Sequence, residues 1–383
     1  MQPSTHKTEY TANTTQTVEK QLSVLFLSDA IASRNGVGSY YADLADHLTD
    51  HIGHAELLSP GAHPEDYAHT LTLPLPGDST QQLYLPRVGC AWQKIKTMAP
   101  DVIVIPTPGP YGLLGFALAK YLKIPLCSGY HTQYEKLTDI FWPPAFSRSS
   151  RFYMKSLNRL FFRSSAVVVG NSMEMVEGAK ADGAQNVEMI GTPVARQFLA
   201  GPFAAFSPSL SSVCYAGRLS PEKNIAEILK AARELTHIRF TIAGDGPLRE
   251  EVAAVSETTP NLEYVGWVSR GAVKRVIDDS EMLLLPSRVE AFGTIALEAM
   301  ARRRLVLVSE NCGILNWPNL AAGVYTIKND ESLAGAIGRI CQKSFSDRLE
   351  KAEIGRQAAA SFNYETLRQW VSLLTAMAAA DWQ

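Results

Sequence analysis

Pro286-Ser287-Arg288-Val289-Glu290-Ala291-Phe292-Gly293-Thr294-Ile295-Ala296-Leu297-Glu298-Ala299-Met300 is the stretch that decides the fold. It follows Glu281-Met282-Leu283-Leu284-Leu285, a short apolar run with the character of a buried strand, and continues into residues 295–302, whose pattern predicts a helix. Strand, turn and helix start in this order make a βα unit. Such a turn aims unpaired backbone N–H groups and the positive end of the helix dipole past the strand's carboxyl end, where an anion is favoured. Glu290 lies in the turn and Glu298 roughly two helical turns later, so both reach one pocket from different depths. Either glutamate alone is equally well a helix cap or a solvated face. Gly293, which permits a close backbone approach, favours a binding turn.

Composition bounds what surrounds that unit. A chain of 383 residues holds two domains, each large enough for its own core. Apolar content of 46% and charged content of 19% describe an ordinary globular protein, and a net charge of −2 argues against a nucleic-acid partner. Cys90, Cys127, Cys214, Cys312 and Cys341 are scattered, with no C-x-x-C and no metal-ligand spacing, which predicts reduced thiols in a cytoplasmic compartment. No apolar segment has the length of a membrane span, so any membrane contact is expected to be peripheral.

Residues 1–20, rich in Thr, Gln and Asn, predict a disordered tail. A buried strand over residues 22–28 then precedes Asn35-Gly36-Val37-Gly38-Ser39 and a helix, so Gly36 and Gly38 open a second βα turn. Without the third glycine of a dinucleotide fingerprint, this Gly-x-Gly is equally a plain turn. Leu71-Thr72-Leu73 suggests a small strand pair, and residues 101–106 and 124–129 read as strands flanking a helix. His131 follows the second of these and sits at the edge where ligands bind, either as a satisfied loop histidine or as a group on the wall opposite Glu290.

Between residues 146 and 165, Arg148, Arg151, Lys155, Arg159 and Arg163 recur at helical spacing and form one basic stripe. Phe152, Met154, Leu157, Leu160, Phe161 and Phe162 fill the other faces, and Trp142 precedes them. Such a helix suits an anionic membrane surface, where each cation contributes about 1 kcal/mol. A solvated face on a packed helix reads equally well.

The second half restarts with a strand over residues 212–216 and the loop Gly217-Arg218-Leu219-Ser220-Pro221-Glu222-Lys223-Asn224. Arg218 and Lys223 beside a helix start suit a diphosphate, the arginine as a fork and the lysine as a point charge. Leu262 to Val268, including Val265, is a further strand, and residues 364–377 are amphipathic.

The string Pro-Ser-Arg-x-Glu-x-Phe-Gly-x-x-x-x-Glu-Ala-Met, with Gly-Arg-Leu-x-x-x-Lys-Asn before it, resembles the retaining nucleotide-sugar glycosyltransferases of the GT-B fold, in their family 4-like, group 1 branch. The segment from Thr107 through Leu137, with His131-Thr132-Gln133-Tyr134, is similar to the His-Thr-x-Tyr/Phe region of lipid-glycosylating members such as the sulfoquinovosyl- and glucosyl-diacylglycerol synthases. The resemblance implies an α/β architecture of two doubly wound Rossmann-like domains facing a cleft. The acceptor would bind residues 21–195 and the donor residues 196–363, with residues 364–383 returning as a helix to the first domain. It implies donor contacts from Gly36, Gly38, Arg218, Lys223, Val265, Glu290, Phe292, Gly293, Thr294, Ile295 and Glu298, with Glu290 accepting from the sugar and Glu298 from the ribose. His131, Glu290, Arg218 and Lys223 would carry catalysis. The implied reaction moves a hexose from a nucleotide sugar, a UDP-sugar first, to diacylglycerol at the inner face of the cell membrane. Trp142, Arg148, Arg151, Lys155, Arg159 and Arg163 would meet that membrane.

The sequence contains no Asp-x-Asp motif, so neither a metal nor another cofactor is expected, and cationic side chains and helix amides would stabilise the leaving diphosphate. The loop Asn311-Cys312-Gly313-Ile314 departs from the glycine-rich acidic loop of that family. Three other readings stay open: a mannosyl- or glucosyltransferase acting on a soluble or polyprenyl-linked glycan, a dinucleotide-dependent oxidoreductase, and a nucleotide-sugar-binding protein without activity.

Overall fold

Val102-Ile103-Val104-Ile105 and Met282-Leu283-Leu284-Leu285 are apolar on both faces and buried on both. Strands of that kind belong at the centre of a parallel sheet covered by helices above and below. In the computed structural model, which describes residues 22–31, 36–61, 71–75, 78–131 and 144–380, each seeds its own sheet. The expected tail at residues 1–20 and Trp142 lie outside the described residues.

The first half contains β1 (Ser23–Leu27), β2 (His54–Leu58), β3 (Leu71–Leu75), β4 (Asp78–Leu85), β5 (Val102–Ile105), β6 (Leu126–Tyr130), β7 (Val167–Gly170) and β8 (Val187–Met189). Its main sheet runs β2-β1-β5-β6-β7-β8, all parallel, while β3 and β4 pair as a separate antiparallel hairpin. The second half contributes β9 (Ser212–Ala216), β10 (Arg239–Ala243), β11 (Leu262–Gly266), β12 (Met282–Leu285), β13 (Leu305–Val308) and β14 (Tyr325–Thr326), ordered β11-β10-β9-β12-β13-β14 and again all parallel. Chain order reverses between β1 and β5 in the first sheet and between β9 and β12 in the second. Ligand crevices form beyond the strand ends at such reversal points.

The segment joining the halves is held by three buried arginines. Arg302 donates to Asp278 Oδ1 at 2.7 Å and to the carbonyls of Ala200 and Pro202, Arg304 donates to the carbonyls of Ala205 and Asp278, and Arg348 donates to Pro208. These bonds offset part of the cost of burying each guanidinium, although the Nε of Arg304 and of Arg348 is buried without a partner.

One helix, Phe345–Ala379, belongs to both cores. Ala352 and Ala359 pack in the second, and Leu367, Trp370, Val371, Leu374 and Met377 pack in the first. The boundary expected between residues 363 and 364 therefore falls inside one continuous helix, about 50 Å long at 1.5 Å per residue. At that point Asn363 Oδ1 accepts from Val194 N at 2.8 Å, fixing the helix to the crossover between halves. Trp370, fully buried, donates to Tyr40 Oη at 2.8 Å. Trp370→Ala should therefore destabilise the protein by about 3–5 kcal/mol in urea unfolding. A loss below about 1 kcal/mol would mean that the helix end is not part of the first core.

Candidate active site

At the reversal point of the second sheet, the loops after β9 and β12 leave neighbouring strands, with Met282 in register with Val213 and Leu283 with Cys214. The first carries Arg218 and Lys223, the second Glu290. Lys223 Nζ and Glu290 Oε2 meet at 2.8 Å, and Ser287 Oγ donates to the same oxygen at 3.3 Å. Burial alone would pull the lysine down, but Glu290 outweighs it and holds the ammonium above its ordinary range. Arg218 is positioned through its own carbonyl, which accepts from Tyr215 Oη at 2.7 Å. The loop lies against the Gly244-Asp245-Gly246 turn. At Gly244, φ +144°, a Cβ would fall 1.8 Å from Gly217 O, so only glycine lets the two backbones close. Asp245 Oδ1 caps that turn by accepting from Gly246 N at 2.9 Å.

Gly293 ends the second loop in the left-handed region, φ +96°, and starts the helix Thr294–Ala301 with no side-chain cap. No intrahelical carbonyl reaches the amides of a helix's first turn, Thr294 and Ile295 here. Gly313 N donates to Glu290 O at 2.9 Å, so the unusual loop after β13 braces the Glu290 turn. Phe292 is buried and stacks on Phe362 at 5.7 Å, which leaves its backbone rather than its ring in the turn. Val265 is half-buried on β11. A cavity of about 390 Å³ opens beside these loops, lined by Asn224, Glu227, Ser287, Arg288, Asn311 and Glu331, and neither Lys223 nor Glu290 lines it. Among the described residues, no group of three His, Cys, Asp or Glu side chains is placed to hold a metal.

The two glutamates have different partners. Glu298, nearly buried, accepts from Arg270 Nη2 at 2.7 Å, and the same nitrogen donates to Asp43 of the first half. Asp43 projects from the helix Gly36–Leu48, whose first turn holds Gly36, exposed, and Gly38, buried. Neither Asp43 nor Arg270 stands out in the sequence. A usable signal is that Arg270 begins the helix Arg270–Asp278, where a cation opposes the helix dipole and needs a carboxylate.

His131 differs most from expectation. The sequence reading presents its imidazole to the ligand; in the structure the residue is only 6% exposed. Nε2 is hydrogen-bonded to Tyr41 Oη at 2.7 Å, and Tyr40 lies against the ring at 4.7 Å. Nδ1 is buried without a partner of hydrogen-bonding geometry, as is Asn171 Oδ1. Burial pushes the imidazole down to about 4, against a smaller opposing effect of Asn171. The physical reason is the aromatic enclosure: Tyr40 and Tyr41 follow the glycine turn on one helix, and Trp370 closes on both from the final helix.

The reversal point of the first sheet is filled by the protein itself. Asp29, just after β1, accepts from Thr107 Oγ1 at 2.7 Å and from the amides of Gly109, Tyr111 and Gly112, at the start of the helix Pro110–Leu122. This carboxylate occupies the place an anionic ligand would take, which counts against a dinucleotide there. Arg148, Arg151, Lys155, Arg159 and Arg163 all lie exposed on the helix Pro144–Ser164, Arg159 paired with Asp182 at 3.3 Å. Phe161 and Phe162 are core residues, whereas Phe152 and Leu160 are exposed beside the cations.

Residues 34–197 match the model for Glycosyltransferase Family 4 and residues 208–359 that for Glycosyl transferases group 1. An alpha-D-kanosaminyltransferase of Streptomyces kanamyceticus is 33% identical over 109 residues, 27% of this chain and 28% of that protein. A sulfoquinovosyl transferase of Arabidopsis thaliana is 24% identical over 234 residues, 58% of this chain and 45% of that protein. The matched stretches thus span less than half the length of these two relatives. Among solved structures, sucrose-phosphate synthase from Thermosynechococcus elongatus superposes with a TM-score of 0.71 at 17% identity, covering 92% of this chain and 98% of the other. Two family matches, over all but the first strand of one sheet and the whole of the other, together with a shared two-domain architecture, place the chain among the group 1, family 4-like glycosyltransferases of the GT-B fold.

Proposed function

We propose that the protein is a retaining, metal-independent glycosyltransferase that moves a hexose from a UDP-sugar to a hydroxyl of diacylglycerol at the inner face of the cell membrane. The observation that carries the transfer reading is the Lys223–Glu290 pair at the reversal point of the second sheet, with Arg218 on the same loop as the lysine. A nucleotide sugar brings hydroxyls and a diphosphate to one place. A carboxylate touching a cation offers acceptors to the first and positive charge to the second.

Transfer breaks the bond from the anomeric carbon to phosphate oxygen, and the bonding electron pair leaves with the diphosphate. The acceptor hydroxyl bonds to the same face of the oxocarbenium-like carbon and passes its proton to the departing phosphate oxygen. Lys223, Arg218 and the Thr294 and Ile295 amides stabilise the growing negative charge, and Glu290 orients the hexose hydroxyls. His131 supports the opposite wall: its neutral, enclosed ring fixes the end of β6 rather than exchanging a proton.

The deciding experiment is transfer and hydrolysis of UDP-hexoses. Lys223→Met should lower kcat by about 10²–10³-fold with the melting temperature nearly unchanged, and wild-type turnover should persist in EDTA. Unchanged kcat in Lys223→Met, or turnover lost in chelator and restored by magnesium, would reject the proposal.

The lipid acceptor draws support from the exposed basic stripe, with Phe152 at 76% and Tyr153 at 56% exposure beside it. Co-flotation with vesicles rich in anionic lipid should be strong at low salt and lost at high salt. Failure to float at low salt would leave a soluble glycan as the acceptor.

The histidine makes a third prediction. Its folded value of about 4 lies below the ordinary 6.5, so the folded protein binds this proton less readily than the unfolded chain. Stability contributed here is present above 6.5 and declines as pH falls toward about 4. Thermal melts should show that decline flattened in His131→Gln, and kcat/KM should lack an inflection near 6.5. An inflection there that His131→Gln abolishes would contradict a buried, neutral ring.

A further inference from the structure

Arg270 sits where a helix start should repel a cation, yet its guanidinium is mostly enclosed, with 23% of the side chain exposed. Three neighbours hold it. Nη2 donates to Glu298 Oε1 at 2.7 Å and to Asp43, and the Phe198 ring lies 6.0 Å from the guanidinium carbon. Asp43 comes from the first half, and Glu298 and Arg270 from separate helices of the second. The bridge therefore crosses the boundary between halves at the carboxylate which, on the reading above, accepts hydrogen bonds from the donor's ribose.

We propose that Arg270 is a positioning residue for donor binding: it holds the Glu298 carboxylate ready for the ribose hydroxyls and is itself anchored by Asp43 from the opposite half. The proposal rests on the ribose reading of Glu298.

The physical need is clear from burial. Glu298 is 5% exposed, and burial pushes its carboxyl up while Arg270 opposes that push. Without the guanidinium, an enclosed carboxylate takes up a proton and becomes partly a donor, a poorer match for two neighbouring hydroxyls. The charged groups facing the guanidinium are Glu298 and Asp43, with Asp46 acting on Asp43 from the same helix. Asp43 is itself pushed up to about 7, by burial first and by Glu298 also, with Arg270 opposing. Two crowded carboxylates thus share one cation, and removing that cation leaves both without compensation.

The test is donor kinetics on the full chain, with UDP binding by calorimetry as a second readout. Arg270→Met keeps the apolar stem and removes the charge. It should raise donor KM about tenfold to hundredfold while kcat changes little. Its KM should then fall as pH rises and Glu298 loses its proton, more steeply than the wild-type KM does over the same range. Arg270→Lys should recover part of the loss, and Arg270→Met should add nothing in a Glu298→Gln background. If Arg270→Met does not fold, Arg270→Lys and Asp43→Asn carry the same readout, each expected to raise donor KM by a smaller factor. Impaired donor binding in Glu298→Gln with wild-type KM in Arg270→Met, or a KM rise in Arg270→Met that is additive and independent of pH, would overturn the proposal alone. Unchanged KM in Glu298→Gln would overturn the ribose reading beneath it.

Discussion

The contact between Lys223 and Glu290, 2.8 Å across two loops far apart in sequence, is a constraint that the arrangement of the second half has to satisfy. It requires β9 and β12 to be neighbours, although two strands intervene between them in the chain, and that adjacency is the reversal of a doubly wound sheet. It also requires the Glu290 turn to be braced. Gly293 supplies the left-handed corner, and Gly313 N closes on the Glu290 carbonyl from the loop after β13. A partly enclosed ion pair contributes little net stability, because desolvation offsets attraction. Such a pair holds two opposite charges ready for a ligand that carries complements to both.

The halves are joined in two ways with different mechanical character. The helix Phe345–Ala379 inserts apolar side chains into both cores and is anchored at its midpoint by Asn363. The facing surfaces meet through polar contacts: Arg270 with Asp43, Arg196 with Asp46 and Asp50, and Trp317 Nε1 donating to Asn171 O at 3.2 Å. Asp43 and Asp46 lie one turn apart on the helix Gly36–Leu48 and Asp50 follows just beyond its end, so this seam is an acidic strip meeting arginines. Polar interfaces between domains rearrange at lower cost than apolar cores. The shared helix keeps the halves together across that polar seam.

Much of this was legible in the chain because it depends on local pattern. The strand-turn-helix at residues 282–301 and the parallel units of both halves follow from apolar runs punctuated by glycine and proline. What could not be read depends on partners remote in sequence. Nothing in the run Arg302-Arg303-Arg304 announces that Arg302 and Arg304 are buried, with the linker's carbonyls lying over them. His131 was expected at an open edge, but it is enclosed by Tyr40 and Tyr41, which Trp370, more than two hundred positions later, covers in turn. Asp29 and Asp43 carried no motif at all; each acquires its role from a helix end brought to it by the fold.

The proposed transfer depends on a nucleotide diphosphate binding at the reversal point of the second sheet, between the loops of Lys223 and Glu290. A crystal structure with UDP-hexose bound tests it most directly. Diphosphate oxygens are expected on Lys223 Nζ and Arg218, with hexose hydroxyls on Glu290. A diphosphate seated instead at the first half's glycine turn, with the Lys223–Glu290 pair undisturbed, would contradict it.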